Sequence, residues 1–209
     1  MNSPVSKPAL TDSALLDPIR ERWSGWSFSD QPIPGAVLRS IFEAARWAPS
    51  SWNDQPWRFL VGERDRSPDL HRLLVASMLS ANRAWAERAP VLVACWACGS
   101  FTHDGSVNRY AMHDLGQAVG LLQVQATALG LRVHAMGGWD PAGVRGALEI
   151  ADHYVAGALL AIGFPGTPSD LADPGLRAKE TSPERRRRAL SQTLGFVEGG
   201  CPDWALSGE

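Results

Sequence analysis

Between Pro34 and Trp47 the apolar residues Val37, Leu38, Ile41, Phe42 and Ala45 recur three or four apart, which predicts a helix with one buried face. Pro34 suits its first turn. The same period runs through Asp69 to Ala81, carried by Leu70, Leu73, Leu74 and Met78. It is longest from Val107 to Gly130, where Ala111, Leu115, Ala118, Val119, Leu122, Ala126 and Leu129 form the apolar face and Gly130 stops the helix. Gly116 and Gly120 weaken that helix by about 1 kcal/mol each. A second helix is therefore expected to approach closely there, with the long helix at the centre of the molecule. Shorter helices are predicted at Ser13–Trp23, with Pro18 as a distortion or a late start, at Ala84–Arg88, and at Pro141–Leu148 behind an Asp140 cap.

Strands are predicted at Trp57–Gly62 and Leu131–Ala135. The unbroken apolar runs Pro90–Trp96 and Tyr154–Gly163 fit strands covered on both faces. Residues 1–12 read as a flexible lead. Beyond Phe164 the chain turns polar and Pro-rich, then reaches Arg185–Arg188 and an extended tail holding Cys201 and Trp204. No internal repeat is visible. The order of elements predicts an α+β sandwich.

The formal net charge of −2 argues against a nucleic-acid partner. Three cysteines are an odd number, which argues against a disulfide framework and suits a reducing compartment. No apolar stretch has the length of a signal-peptide core at the start, or of a bilayer span anywhere. A soluble cytoplasmic protein with no membrane partner is expected. Nine tryptophans in 209 residues is a high count, and two of them stand in the turn-rich stretch APSSWNDQPW at 48–57.

Several constellations carry candidate chemistry. In extended chain alternate side chains share a side, so Arg185 and Arg187 could clamp a phosphate while Arg186 and Arg188 face water; a solvated charge run is the plainer reading. Arg22 and Ser24 could add phosphate donors, or merely end a surface helix. Ser50, Ser51 and Asn53 offer polar groups between the walls Pro49, Trp52, Pro56 and Trp57, which suits a planar heteroaromatic ligand. The alternative is a tight loop whose tryptophans plug the core. Met136, Gly137 and Gly138 follow a strand, where glycine admits a ligand close to the backbone. No G-x-G-x-x-G occurs, so a Rossmann site is unsupported. Cys95 and Cys98 match C-x-x-C, but within a strand they face opposite sides and read as structural. His103-Asp104 and His113-Asp114 resemble the step used by metal phosphohydrolases, yet no metal is expected.

Four separated pieces together resemble the FMN-dependent nitroreductase family. They are R-W-S at 22–24, A-P-S-S-x-N-x-Q-P-W at 48–57, G-G-W-D at 137–140, and R-x-R with Leu190 at 185–190. Asn82 falls where that family has a flavin-contacting asparagine. The resemblance runs from about residue 15 to 200. It implies a three-layer α/β/α sandwich with a mostly antiparallel sheet, spanning 13–188, in an intertwined homodimer. The 189–209 arm would wrap the partner subunit. It implies two FMN molecules at the interface. Arg22, Trp23, Ser24, Arg185 and Arg187 would lie by the phosphate and ribityl chain, with Pro49, Ser50, Ser51 and Asn53 contributed by the other subunit. Asn82, Met136, Gly137 and Gly138 would lie by the ring.

The activity implied is hydride transfer from NADH or NADPH, through FMN, to nitroaromatics, quinones or similar small electron-poor acceptors by a ping-pong mechanism. A dehalogenase, an enone reductase, a biosynthetic oxidase or a non-catalytic flavin carrier are the alternatives. Two basic positions common in the family are Trp26 and Trp85 here. With Trp52 they are the candidate substrate walls, while Trp57 and Trp96 are expected to fill the core.

Overall fold

The computed structural model describes residues 3–11 and 13–194. Four strands form one antiparallel sheet in the order β1-β2-β4-β3. They are β1 (Trp57–Glu63), β2 (Val91–Cys98), β3 (Arg132–Met136) and β4 (Tyr154–Gly163). Every residue of β2 is buried. Its alternate side chains serve two cores: Val91, Val93, Cys95 and Ala97 point to one face, Leu92, Ala94 and Trp96 to the other. This is why the run carries no polar alternation.

On the first face lie α2 (Gly35–Arg46) and the long α5 (Ala111–Ala128). Leu38, Ile41 and Ala45 of α2 meet Leu115, Ala118, Leu122 and Ala126 of α5 over Val133, Leu160 and Ile162. On the second face lie α3 (Pro68–Ser77), α4 (Ser80–Ala86) and α6 (Pro141–Ala147). Leu74, Met78, Trp85, Ala86 and Val144 cover Leu92, Trp96, Leu159 and Ala161 there. The expected three-layer sandwich is thus present. No helix among the described residues is long and apolar enough to cross a membrane.

Several element boundaries differ from expectation. The first helix, α1, is only Asp17–Glu21, because Pro18 belongs in a first turn and lacks an amide for an earlier one. Helix α3 stops before Met78, whose backbone turns extended and bridges Trp139. Helix α4 then starts earlier than predicted and carries Asn82. Helix α5 begins after Tyr110, since Val107 is paired to Ser100 and Asn108 Oδ1 accepts from the Tyr110 amide. The polar stretch after Phe164 contains an unpredicted helix, α7 (Pro174–Thr181), capped by Asp173. Among the described residues of one chain the expected close helix neighbour at Gly116 and Gly120 is absent. A Cβ placed on either glycine would meet nothing there within 4 Å beyond the helix's own backbone.

The segment expected to be a flexible lead is docked. The Ala9 amide donates to Arg20 O, Lys7 Nζ donates to Lys179 O, and Arg132 donates to Val5 O. These contacts surround a buried ion pair. Arg132 Nη1 meets Glu180 Oε1 at 2.7 Å, with side chains 4% and 0% exposed. Glu180 also accepts from the Trp26 amide and the Ser27 hydroxyl, and Arg132 donates to Ser27 O. The pair ties α7 and β3 to the chain that leaves α1. Of the 189–209 arm, Leu190–Gln192 form one short 3₁₀ turn; residues 195–209, with Cys201 and Trp204, lie outside the described residues.

Removing one member of such a pair leaves the other charged and buried, at a cost of about 3–5 kcal/mol. Glu180→Ala should therefore lower the urea midpoint by that equivalent. Arg132→Met combined with Glu180→Leu should recover most of it. A single variant as stable as the parent would show that the pair is solvated.

Candidate functional site

Helix α1 ends at Glu21, and the extended chain after it carries Arg22, Trp23, Ser24 and Trp26 along β3. The Trp23 ring has the Lys7 ammonium 4.4 Å from its centre and the Arg132 guanidinium at 4.5 Å. Arg22 is half-buried, with Ser24 Oγ at 3.4 Å and Gln123 Oε1 of α5 at 3.5 Å. Burial, and after it the charges of Arg185 and Arg187, push the Arg22 guanidinium below the ordinary arginine range. Among the described residues none of these three arginines forms an ion pair, while Arg20 and Arg186 beside them do. Three neighbouring guanidiniums without a carboxylate partner among the described residues have the charge and donors to suit an anion.

Arg22 and Arg185–Arg188 line a groove of about 760 Å³ together with Leu10, Leu15, Ile19 and Leu190. The structure revises the alternation expected in the arginine run. All four residues line the groove, and of the four Arg185 alone is partly buried. Arg185 donates to the carbonyls of Lys7, Arg20 and Arg22. It is thus a staple of the backbone as well as a source of charge, whereas Arg187 is exposed and, among the described residues, bonds only the adjacent Arg186 carbonyl.

At the far end of β3, Met136 is buried and Gly137 is exposed with open space around it. Asn82 Nδ2 donates to Gly138 O at 3.0 Å, and the Leu79 amide donates to the same carbonyl. A Cβ on Gly138 would lie 2.6 Å from Asn82 Nδ2, so the side chain needs a glycine there. Asn82, Met136, Gly137 and Gly138 are therefore brought together.

Between the two ends stands His134, whose Nδ1 lies 3.0 Å from Gly25 O. Burial holds its imidazole below the ordinary histidine range, which makes it neutral at pH 7. It packs on Trp85, with ring centres 4.4 Å apart, and on Trp26 at 5.7 Å. The expectation that Trp85 walls a substrate pocket is corrected. It is 3% exposed and stacks on Phe28, so it belongs to the core. Trp26 is half-buried beside Trp23. Trp57 and Trp96 are core residues as expected.

The Pro49–Trp57 loop lies elsewhere. Ser51–Asn53 form a 3₁₀ turn, and Trp52, Asn53 and Gln55 all have φ between 51° and 55°. Three left-handed non-glycine residues in one loop are strained and must be held. The Ser51 amide donates to Asp114 Oδ2 at 3.0 Å, and Gln55 N donates to Ser50 Oγ. Asp54 Oδ1 accepts from both the amide and the hydroxyl of Thr102. Burial alone would raise the Asp54 carboxyl, but those bonds and the nearby His103 hold it below the usual range. Trp52 is 81% exposed, its indole beside His103 rather than in the core.

Pro49, Ser50 and Ser51 share a cavity of about 270 Å³ with Tyr110, His113, Asp114 and Gln117. This cavity and the arginine groove share no lining residue. Asp114 and Gln123 mark their positions on α5, about 14 Å apart along its axis. One chain therefore does not bring Ser50, Ser51 and Asn53 to Arg22.

Neither metal-like motif collects ligands. Among the described residues no group of three or more His, Cys, Asp or Glu is placed to hold a metal. Cys95 is fully buried among the α2–α5 core, and Cys98 Sγ donates to Ser100 O. His113 is turned to the buried Asp114 at 3.1 Å.

The family profile described as "Nitroreductase family" matches residues 19–164. The chain belongs to the nitroreductase family. An NADH dehydrogenase of Thermus thermophilus is 31% identical over 177 residues, covering 68% of this chain and 83% of the relative. A nitrobenzene nitroreductase of Ectopseudomonas oleovorans is 47% identical over 51 residues, 24% and 22% of the two chains. A solved structure described as an oxidoreductase containing FMN superposes with a TM-score of 0.81 at 29% identity, covering 90% of this chain and 95% of that one. Iodotyrosine deiodinase bound to FMN and 3-iodo-L-tyrosine shares the fold, with a TM-score of 0.57 at 20% identity over 72% and 86%.

Within this nitroreductase-family chain, sequence reasoning missed Lys7, Gln123, Arg132, His134 and Glu180, and weighed Asp114 only as a metal-like step. A signal existed for two of them. Arg132 and His134 stand two apart in a strand, and so share a face where apolar residues would otherwise be expected.

The Cys95 thiol is pushed up to about 12 by burial. Since the thiolate is the nucleophile, native protein treated with iodoacetamide at pH 8 should show no carboxamidomethylation of Cys95 by peptide mass mapping. Urea should expose it to full reaction, and rapid native labelling would place the thiol at the surface.

Proposed function

We propose that the protein is an FMN-dependent oxidoreductase, which takes hydride from NADH or NADPH and delivers it to a nitroaromatic, quinone or similarly electron-poor small molecule. Its observational basis is the Arg22–Arg185–Arg187 cluster, which lacks a carboxylate partner among the described residues and faces an open groove. A phosphate dianion matches that cluster. The open Gly137 and the Asn82–Gly138 contact further along β3 suit the edge of a flat ring. The resident groups thus fit FMN, in keeping with the FMN named for the 29%-identical structure.

In this reading Arg22, Ser24 and Arg187 hold the phosphate and Arg185 fixes the backbone that carries Arg22. Trp23 flanks the ribityl chain. Asn82 and the Gly137 amide border the ring, which when bound supplies the hydride chemistry. Donor and acceptor occupy the same place in turn, so turnover is ping-pong. Trp26 and the exposed Trp52 give the mouth an apolar lining, and Trp85 supports it from the core.

The reading requires a homodimer. Pro49, Ser50, Ser51 and Asn53 stand apart from the arginine groove in one chain, so a second copy would bring them to it. The uncovered face of α5, with Gly116, Gly120 and the exposed Met112 and Leu121, supports such an approach. The buried free cysteines suit a reducing cytoplasm.

Purified protein should be yellow and dimeric, and anaerobic NADH or NADPH should bleach it. Arg22→Ala should weaken FMN binding by about tenfold or more, since it removes a charge-assisted contact; fluorescence titration of cofactor-free protein measures this. A colourless protein that takes up no added FMN would refute the flavin assignment. A yellow protein that neither dinucleotide bleaches would instead be a flavin carrier.

A further inference from the structure

Asp114 sits on the buried face of α5, between Ala111 and Leu115, where the helical period calls for an apolar residue. Its side chain is 3% exposed. A carboxylate in such a place is costly unless its oxygens are matched. Oδ2 takes the Ser51 amide at 3.0 Å and Oδ1 faces His113 Nδ1 at 3.1 Å. The position in the first turn of an 18-residue helix also favours negative charge. The group it holds is the start of the strained Ser51–Asn53 turn. The other end of that turn is held by Asp54, through the Thr102 amide and hydroxyl.

We propose that Asp114 is a positioning residue, which with Asp54 clamps the two ends of the Ser50–Asp54 turn and so sets the backbone and side chains that meet the flavin of a second copy. The inference rests on the flavin reading above. The left-handed Trp52 and Asn53 between those ends would relax to ordinary backbone if either end were released. Relaxation would move Ser50 and Ser51 and collapse the projection of the Trp52 indole. His113 Nδ1 faces the second oxygen and lies equally close, at 3.1 Å, to Gln117 Nε2. Asparagine at 114 retains an oxygen for the Ser51 amide; alanine does not.

Hydrogen exchange of residues 49–57 in cofactor-free protein, with FMN titration of the same samples, tests the clamp. Asp114→Ala should speed exchange of the Ser51 amide and weaken FMN binding about tenfold, while Asp114→Asn stays within about threefold of the parent. Leu122→Ala, a core change on the same helix, should lower Tm yet leave loop exchange and FMN affinity at parental values. Asp54→Ala frees the opposite, partly exposed end and gives the same answer should Asp114→Ala not fold. Unchanged exchange or unchanged FMN affinity in the alanine variants overturns the clamp. Parent protein that binds no FMN sinks the flavin reading, and the clamp's purpose with it, whatever the exchange shows.

Discussion

The buried pair of Arg132 and Glu180 is the constraint around which the basic end of the molecule is arranged. Two charges removed from water must each find several partners. Glu180 finds the Trp26 amide, the Ser27 hydroxyl and Arg132; Arg132 finds Ser27, Val5 and the face of Trp23. Meeting those demands draws three remote stretches of chain onto β3. They are the N-terminal residues, the segment after α1, and α7. Arg22 is delivered to the groove as a consequence, and Arg185 completes the arrangement by binding the carbonyls on either side.

That arrangement separates two tasks that sequence had merged. Arg185 and Arg187 look equivalent in an extended run, yet one is bound to backbone carbonyls and the other is exposed. The same is true of the tryptophans. Trp85 and Trp26 were both expected as substrate walls, but α4 turns Trp85 inward against Phe28 and His134. Trp52, which composition alone would send to the core, is exposed because a left-handed backbone projects it outward. The charge and ring placements that would govern a flavin site are thus set by which neighbours bury each side chain.

The distribution of the expected flavin contacts has a physical logic of its own. A sheet buried on both faces leaves its polar opportunities at strand ends and at the ends of α5. The Gly137–Asn82 corner and the Pro49–Asp54 loop are such places. The first lies at the end of β3 beside α4, and the second is tied to the first turn of α5, whose glycines are open among the described residues. A second copy of the chain would bridge this division.

Much of the scaffold was legible without coordinates. The run of β4 is buried only from Leu159 to Gly163 and leaves Val155 exposed, but the fully apolar run of β2 implied a sheet covered twice, and the periodicity of α2 and α5 implied the helices that cover it. These readings succeed because burial of one face is a local and repetitive demand. The A-P-S-S-x-N-x-Q-P-W piece marked the family for a similar reason: its turn chemistry is written in adjacent residues. Tertiary structure alone decided the rest. It docked the N-terminal segment, paired Arg132 with Glu180 across 48 positions, and set Asp114 beneath Ser51 across 63. Partners so far apart in the chain leave no periodic trace, because what selects them is the need to satisfy a charge once folding has removed water from it.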